Sequence, residues 1–339
     1  MNLDVYDKAR LEFIEWASID KNIIPFEFGE VGVKGVSDLD LGVVLKDIPL
    51  INFQDHLDAF PKSISKIMNG GTLMVFPKKI FKNINFIDDV NISFLKDSFL
   101  LAELSKEEEM IVQIIQVIEW FPERILCLFK DKINGFQNPK RSLAFLYSFC
   151  YSLKKIQALS KNHTLMNNFI KEIYQLRLNW KSFNDFEKIE NIDRFYNKAF
   201  SLIQTSIDLY INIPLIKNLS KKIENLECST FNLHSNVYIK GTKKNIYKVF
   251  KDSTKNNITI EVPNVFLYNY IKYSNYKDSS LSTLIAKRFE QKIPLNVPSA
   301  EETIFADILK KRFLFMDECF NFIKTLELKK GLFKFGWYL

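Results

Sequence analysis

The sequence has little cysteine, and its four cysteines are far apart. They are Cys127, Cys150, Cys228 and Cys319, and no two of them form a Cys-x-x-Cys pair. Closely spaced cysteines are the usual sign of a structural zinc site, and an even set in a short secreted chain indicates a disulfide framework. We therefore predict neither kind of site and expect the thiols to be reduced and buried.

Long uncharged apolar segments are also absent from the sequence. Stretches without charge, such as Ser142–Leu153, are shorter than the about 20 residues that a membrane-spanning helix needs. The first residues include Asp4 and Asp7, whereas a secretion signal has a basic start followed by an apolar core. We expect a cytoplasmic protein without a membrane span.

Neither sign of charge dominates the composition. Lys and Arg number 47 against 40 Asp and Glu, which gives a formal net charge of +7 over 339 residues. Hydrophobic residues make up 47% and charged residues 26%, as in ordinary globular proteins. The length leaves room for two domains with sizeable cores. The small positive excess favours an anionic partner, although a strong nucleic-acid-binding domain usually carries more positive charge on one face.

The most informative stretch contains three glycines, Gly29, Gly32 and Gly35, and continues with Asp38 and Asp40. Glycine adopts positive φ readily and lets a ligand approach the backbone. If the Asp-Leu-Asp segment is a strand, its two carboxylates project from one face, because side chains at i and i+2 share a face. Two neighbouring negative charges are costly unless a cation lies between them, and Mg²⁺ prefers oxygen ligands of this kind.

This stretch resembles the active-site loop of the DNA polymerase β-like nucleotidyltransferase superfamily. The resemblance covers roughly residues 23–90 and is sharpest over Gly35–Leu41. It implies Mg²⁺ as a cofactor, with Asp38 and Asp40 as the catalytic carboxylates that bind it. It also implies that the loop approaches the phosphates of an NTP through five residues, which are Gly29, Gly32, Lys34, Gly35 and Ser37. Lys34 would neutralise developing charge, and Ser37 would either cap the turn or touch a phosphate.

Two features depart from the pattern of that family. Gly29 is followed by Glu30, where the family usually has a serine that binds the triphosphate. A glutamate there would repel phosphate unless it turned away or bound a metal ion. The family also has a third carboxylate on a later strand, for which Asp88 and Asp89 are the nearest candidates, as base or metal ligand. The alternative interpretation of the glycines and the Asp-Leu-Asp segment is a solvated turn before an edge strand.

Residues 1–98 are predicted to form a small, mixed-sheet, nucleotidyltransferase-like domain. Apolar periodicity and turn residues indicate its elements. They are a helix over 4–19, strands over 23–28 and 38–45, a helix over 52–69 bent at Pro61, a strand over 72–77 and a weaker strand over 84–88. His56 lies on the helix after the acidic pair, and we expect a surface or capping role for it.

Residues 99–339 are predicted to form a mainly helical domain with a β-hairpin insertion at about 229–262, which makes the whole chain an α+β protein. Its helices are expected at 107–130 with a break at Pro122, and at 139–156, 163–180, 185–209, 214–225 and 299–326. Four aromatic residues of the second helix are expected in the core rather than in a base-stacking platform: Phe145, Tyr147, Phe149 and Tyr151. The hairpin is expected to pair 236–240 with 245–250, and 257–262 to add a strand.

Three functions follow as hypotheses. The leading one is a Mg²⁺-dependent nucleotidyltransferase that moves an NMP from an NTP to an unidentified acceptor, which is a small molecule, glycan, protein or RNA. The second is a non-catalytic binding protein that keeps the fold without the chemistry. The third is an RNA-binding or RNA-tailing protein that uses the lysine-rich hairpin, whose default interpretation is a solvated edge. The oligomeric state is not readable from the sequence.

Overall fold

The computed structural model describes residues 4–68, 73–161, 166–217, 228–232, 237–240, 259–263 and 300–326. The described residues form a mixed α+β structure that is mostly helical, so the α+β class is confirmed. They divide into two compact units, one from Met1–Val112 and Asp307–Leu339 and the other from Gln113–Ala306. The predicted division after residue 98 had assigned 99–112 and the last helix to the second domain.

The elements are numbered in chain order. The helices are α1 (Val5–Ala17), α2 (Phe53–Asp58), α3 (Lys62–Ser65), α4 (Lys78–Phe81), α5 (Lys106–Ile133), α6 (Pro139–Ser160), α7 (Asn167–Leu178), α8 (Asp185–Ile211) and α9 (Ala300–Thr325). The strands are β1 (Ile23–Phe28), β2 (Leu41–Leu45), β3 (Met74–Pro77), β4 (Ile92–Phe94), β5 (Cys228–Asn232), β6 (Val237–Lys240) and β7 (Thr259–Pro263). Two short 3-10 helices span Ile84–Phe86 and Trp180–Ser182, and residues 214–217 are helical.

Helix α1 begins at a side-chain cap and buries one face. The Asp4 carboxylate accepts hydrogen bonds from the backbone N–H groups of Tyr6 and Asp7, both at 2.9 Å, and so satisfies two of the N–H groups that a helix start leaves unpaired. Apolar residues then recur at helical spacing, and Phe13 and Trp16 are buried. This face packs against the first sheet.

The first sheet has the strand order β3-β2-β1-β4. Strand β1 pairs antiparallel with β2 and with β4, and β2 pairs parallel with β3. The prediction of β1 over 23–28 is confirmed, and β2 is shorter than the predicted 38–45. The weaker strand predicted over 84–88 is wrong, because Ile84–Phe86 is a 3-10 helix and the fourth strand is Ile92–Phe94.

Both faces of this sheet are covered by apolar side chains. On the face of α1, Leu39, Leu41, Val43 and Val75 belong to a buried cluster with Trp16. The opposite face is aromatic, with ring centroids of Phe26 and Phe81 at 4.7 Å, and of Phe76 and Phe315 at 5.8 Å. Phe315 comes from α9, so the last described helix contributes to the core of the first unit.

A glycine in β2 makes room for one of these rings. A Cβ on Gly42 would lie 2.2 Å from Cζ and 2.6 Å from Cε1 of Phe26, far inside van der Waals contact. Phe26 and Gly42 are register partners across the β1–β2 ladder. The missing side chain at Gly42 therefore allows the Phe26 ring to lie flat over the centre of the sheet.

Arg312 of α9 binds the chain just before Asp88. It is almost fully buried, and its Nη1 donates to the carbonyls of Phe86 and Ile87, both at 2.7 Å. Hydrogen bonds from a charged donor are stronger than neutral ones. Helix α9 thus fixes the segment that leads from the 3-10 helix towards β4.

The second unit is built on long helices. Asn138 caps α6 by accepting from the N–H of Arg141 at 3.1 Å, and Pro139 occupies the first turn, where its missing N–H costs nothing. The predicted break at Pro122 is wrong, because α5 continues through it from Lys106 to Ile133. Among the residues that the structure describes, no helix combines the length and apolarity needed to cross a bilayer.

A second sheet has the strand order β6-β5-β7, and both of its ladders are antiparallel. The predicted strand over 236–240 corresponds to β6, and the one over 257–262 corresponds to β7. In the described residues the partner of β6 is β5, and the predicted partner strand 245–250 lies outside them. The predicted turn lysines Lys243 and Lys244 lie outside them as well.

Candidate functional site

The loop between β1 and β2 depends on two glycines with left-handed backbone. Gly29 has φ +75° and Gly35 has φ +80°, a region that side-chain-bearing residues rarely adopt. The N–H of Gly29 donates to the carbonyl of Asn91 at 2.8 Å, and a Cβ on Gly29 would contact Val90 at 3.4 Å. The loop therefore leaves β1 tightly against the chain that enters β4.

Tyr6 holds the far side of this loop. Its buried hydroxyl accepts from the N–H of Gly35 at 2.7 Å and donates to the carbonyl of Ser37 at 2.8 Å. The Oγ of Ser37 accepts from the N–H of Val33 at 2.9 Å. Of the two roles that the sequence left open for Ser37, the capping of the turn is therefore present in the structure.

The acidic pair follows this turn and alternates with apolar residues. Leu39 and Leu41 are fully buried in the cluster under α1, whereas Asp38 and Asp40 are only partly buried. The N–H of Phe28 donates to the carbonyl of Asp40 at 2.9 Å, which continues the β1–β2 ladder beyond the formal strand. With the two-residue period of extended chain, Asp38 and Asp40 lie on the sheet side opposite Leu39.

The environment of Asp40 is electrostatically unfavourable to its charged form. Burial, followed by the negative charges of Asp38 and Glu27, raises the pKa of Asp40 to about 6. All three influences act in the same direction, so a bound cation would relieve the cost. Mg²⁺ is commonly held by one or two carboxylates together with substrate phosphates. Asp38 and Asp40 therefore have the chemistry of two Mg²⁺ ligands.

Glu27 has a partner of its own. Its carboxylate receives two hydrogen bonds from Arg10 of α1, from Nε at 2.6 Å and from Nη2 at 2.9 Å. The pairing raises the pKa of Arg10, chiefly through the hydrogen bond. Neither residue was among the predicted site residues, although a single carboxylate in the apolar strand Ile23–Phe28 was a readable signal.

Lys34 is exposed and forms an ion pair with Asp4, the cap of α1. Its hydrogen bond is the main cause that lowers the pKa of Asp4 to about 2. A role on a phosphate would require Lys34 to exchange this partner. Gly32 is exposed, and the nearest atom to a Cβ there is Oγ of Ser37 at 3.9 Å, so this position does not require glycine.

Glu30, at the position where the superfamily that the loop resembles usually has a serine, is exposed and turned towards β4. Its Oε1 accepts from Nδ2 of Asn91 at 3.4 Å. Turning aside is one of the two ways in which a glutamate at this position avoids repelling a phosphate. The contact therefore agrees with an anion near the loop, without requiring one.

The third carboxylate is the weakest part of the predicted set. Asp88 is buried in the segment between the 3-10 helix and β4, and Asp89 is exposed, so neither lies on a strand. Strand β3, which adjoins β2, carries Met74 opposite Gly42. Register partners share a face and Gly42 shares a face with Asp40, so Met74 is the first β3 residue on the side of the pair and Phe76 is the second. A thioether is not a ligand that Mg²⁺ prefers.

No metal centre of three or more ligands is present in the part of the chain that the structure describes. Cys150 and Cys319 are buried, as expected, and Cys127 is partly buried; none of these three thiols is in a disulfide. The candidate site thus has two carboxylates, a loop with two left-handed glycines and two hydrogen bonds from the loop to Tyr6.

His56, expected at the surface or in a cap, is buried. Its ring stacks on Trp16 with centroids 4.1 Å apart, and its Nε2 has no hydrogen-bond partner. Burial lowers the pKa of His56, and the charge of Asp20 opposes this effect. The residue therefore belongs to the core rather than to the surface or to a helix cap.

No family model, curated protein or solved structure matches the chain. The interpretation of the loop accordingly depends on its residues and their geometry.

Proposed function

We propose that the chain is a Mg²⁺-dependent nucleotidyltransferase that moves an NMP from an NTP to an acceptor. The observation that carries the proposal is the β1–loop–β2 unit, in which two positive-φ glycines lead to Asp38 and Asp40, and the charge of Asp38 helps to raise the pKa of Asp40. The acceptor is a small molecule, glycan, protein or RNA, since fold alone does not determine the substrate.

Each part of the loop has a role in this proposal. Asp38 and Asp40 hold Mg²⁺, which neutralises phosphate charge when bound. The backbone from Gly29 to Gly35 approaches the triphosphate, and Lys34 exchanges Asp4 for a phosphate oxygen. Asp88 is the candidate third carboxylate. Three residues beyond it, the carbonyl of Asn91 accepts from the N–H of Gly29, so the segment after Asp88 adjoins the glycine turn.

The transfer is a single displacement at phosphorus. The acceptor oxygen forms a bond to the α-phosphorus, and the bond from that phosphorus to pyrophosphate breaks. The acceptor proton passes to a carboxylate or to water. Asp38 and Asp40 would orient the nucleotide through the metal ion that they hold. Their contribution to the rate would come mainly from positioning the phosphates and from electrostatic stabilisation.

The test is the variant that carries both Asp38→Asn and Asp40→Asn, with Asp47→Asn as the matched control. Asp47 is exposed just after β2. We expect Mg²⁺ with a non-hydrolysable NTP to raise the melting temperature of the native chain and of the control but not of the double variant. Mg²⁺-dependent release of pyrophosphate should be lost in parallel. Equal melting shifts in all three proteins would exclude the assignment.

A second candidate is a non-catalytic protein that keeps this fold without the chemistry. The observation that favours it is Met74, which places no carboxylate on the strand beside the acidic pair. Calorimetry with each NTP and Mg²⁺ separates the two functions. Micromolar binding followed by pyrophosphate release supports the transferase, and absence of binding supports the second candidate.

A further inference from the structure

Positive charge is concentrated in one short part of the second unit. Residues 139–182 contain eight Lys and Arg and one acidic residue, a formal excess of +7 that equals that of the whole chain. Helix α6 has four basic residues and no acidic one. The single acid, Glu172, pairs with Lys198 of α8 at 2.6 Å and is therefore neutralised from another helix.

Two tyrosines lie among these charges on one face of α6. Tyr147 and Tyr151 are one turn apart, with ring centroids at 5.0 Å and an interplanar angle of 72°. Tyr151 is 44% exposed, whereas a core position had been predicted for it. The prediction failed for Tyr151 because an apolar ring with a hydroxyl is compatible with either environment, and it holds for Phe149, which is fully buried.

The rings of Tyr147 and Tyr151 are held in position by contacts with neighbouring side chains. The buried guanidinium of Arg177, on α7, lies 3.4 Å from the centroid of the Tyr147 ring, a close cation–π contact. Tyr147 in turn contacts Tyr151 edge-on. Lys154 extends over the Tyr151 ring, with Nζ at 5.7 Å from its centroid. The exposed ring is thus held in place before any ligand arrives, which lowers the entropy cost of binding.

Basic side chains from neighbouring helices also lie near this part of α6, around Cys150 and Ser152. Burial raises the pKa of Cys150 to about 12, and the charges of Lys154, Arg177 and Arg124 act in the opposite direction. Arg124 comes from α5, and its Nη1 donates to Oγ of Ser152 at 2.6 Å. Three helices therefore direct cations towards the same turn of α6.

The basic face of α6, which runs from Lys140 through Tyr147 to Lys154, is longer than a single phosphate group. Lys140 precedes Tyr147 by two helical turns, and Lys154 follows it by two, so all three lie near one line along α6. Fourteen residues of α-helix span about 21 Å. An extended polyanion fits this length, and a single small anion does not need it.

We propose that this face of α6 and α7 binds single-stranded nucleic acid, with a base stacked on Tyr151 and phosphates at Lys140 and Lys154. Aromatic rings between cations are the pattern by which proteins bind single strands with little sequence preference. An acidic protein surface has no need of an exposed, pre-fixed ring. A membrane surface requires large aliphatic side chains on the same face, and α6 exposes none. The inference does not depend on the proposed function.

The test measures anisotropy of a fluorescein-labelled 20-mer oligouridylate with the full chain, from 50 to 200 mM NaCl. We expect Tyr151→Ala to weaken binding about tenfold, as loss of one stacked base does. Tyr151→Phe keeps the ring and should stay within about twofold of the native chain. Lys154→Ala should lower the slope of log affinity against log salt by about 0.7, the value for one phosphate contact on a single strand.

The matched control is Lys188→Ala, which removes the same charge from α8, where Lys188 pairs with Asp185. Its affinity and salt slope should equal those of the native chain. Circular dichroism of each variant verifies folding, and Tyr151→Leu, which keeps an apolar side chain without an aromatic face, replaces the alanine variant if that variant unfolds. Absent or salt-independent binding would overturn the proposal.

Competition distinguishes the alternative partners. Polyglutamate that displaces the oligonucleotide at equal charge concentration, together with unchanged binding by Tyr151→Ala, would indicate an acidic protein partner and overturn the inference. Vesicles of anionic phospholipid that compete equally would do the same for a membrane surface. The double variant at Asp38 and Asp40 should bind the oligonucleotide normally, so failure of the transferase proposal leaves this result unaffected.

Discussion

Single residues determine how many metal ligands the proposed site offers. Asp38 and Asp40 provide two carboxylates, and the first β3 residue on their side of the sheet is Met74, the buried register partner of Gly42. Two carboxylates suffice for one Mg²⁺ that carries its own phosphate ligands. A second metal ion would need further ligands, and Met74 is the position at which a carboxylate would add one.

The first prediction concerns Met74→Asp. We expect the variant to melt at a lower temperature than the native chain without Mg²⁺, because it adds a third charge to a crowded, buried place. We also expect Mg²⁺ to raise the melting temperature of this variant by more than it raises that of the native chain. The control is Val75→Asp, one residue further on and on the opposite face of the sheet, under α1. It should lose stability with no rescue by Mg²⁺, and equal Mg²⁺ effects in the two variants would contradict the placement of Met74.

The second prediction concerns His56 and pH. Burial holds the pKa of His56 below its unfolded value of about 6.5. The folded state therefore keeps the neutral ring, and the stability that this contributes is present above the unfolded pKa and is lost as pH falls below it. Urea unfolding between pH 8 and pH 5 should show native stability falling more steeply than that of His56→Phe. The difference in slope cannot exceed about 1.4 kcal/mol per pH unit for one proton.

Asp20 is the charged group that opposes this effect at His56. It accepts hydrogen bonds from the N–H groups of Asn22 and Leu50, at 2.8 and 2.6 Å, and so stays in place in both proteins. His56→Phe also leaves the backbone carbonyl of His56 to accept from Nε1 of Trp16. Parallel pH curves for the two proteins would show that the histidine is not held neutral.

At the scale of elements, the third prediction tests the contact between β1 and β2. Gly42→Ala should destabilise the chain by about 1–3 kcal/mol, the usual cost of overpacking a core, because the new methyl overlaps the Phe26 ring. Gly32→Ala should change stability by less than about 0.5 kcal/mol, as an unconstrained surface position does. Urea unfolding at neutral pH measures both, and equal effects would mean that Phe26 moves aside freely.

Strong local patterns were readable at this scale. Strand β1 is uniformly apolar apart from Glu27, and α1 has a clear apolar stripe, so both were predicted close to their observed bounds. Strand β4 was missed, because three residues carry too little pattern. The segment 84–88 was mistaken for a strand since apolar residues every two positions also fit a 3-10 turn whose conformation depends on Arg312, more than 200 residues away.

The candidate site could be predicted only in part, because some of its features depend on local sequence and others on long-range contacts. The glycines and the Asp-Leu-Asp spacing are local, and their backbone consequences appear at Gly29, Gly35 and Leu39. The bond from Tyr6 to the loop joins residues about 30 positions apart, and no local pattern announces it. The identity of the β3 residue beside the pair needed the sheet register, which only the structure supplies.

At the scale of the molecule, the fourth prediction concerns the dependence of the first unit on α9. A chain that stops after residue 306 loses the ring of Phe315 and both hydrogen bonds of Arg312. Loss of one core phenylalanine alone costs about 3–5 kcal/mol, a large share of a typical stability of about 5–15 kcal/mol. We expect amides of β1 and β2 to lose protection in hydrogen–deuterium exchange.

Helices α6 and α8 are the internal control in that experiment, since they belong to the second unit. Their amides should stay protected in the shortened chain. Protected amides in β1 and β2 would show that the sheet is stable without α9. Loss of protection in all four elements would mean that the two units do not unfold separately.

The division of the first unit has a consequence during translation. Its two parts are separated by residues 113–306, which a ribosome adds in about 10 to 40 s at the usual rate. The nascent strands β1 to β4 wait for that time without Arg312 and Phe315, while the intervening helices emerge and can fold first. Termination before α9 would therefore yield a chain whose helical middle can form but whose first unit lacks the contacts of Arg312 and Phe315.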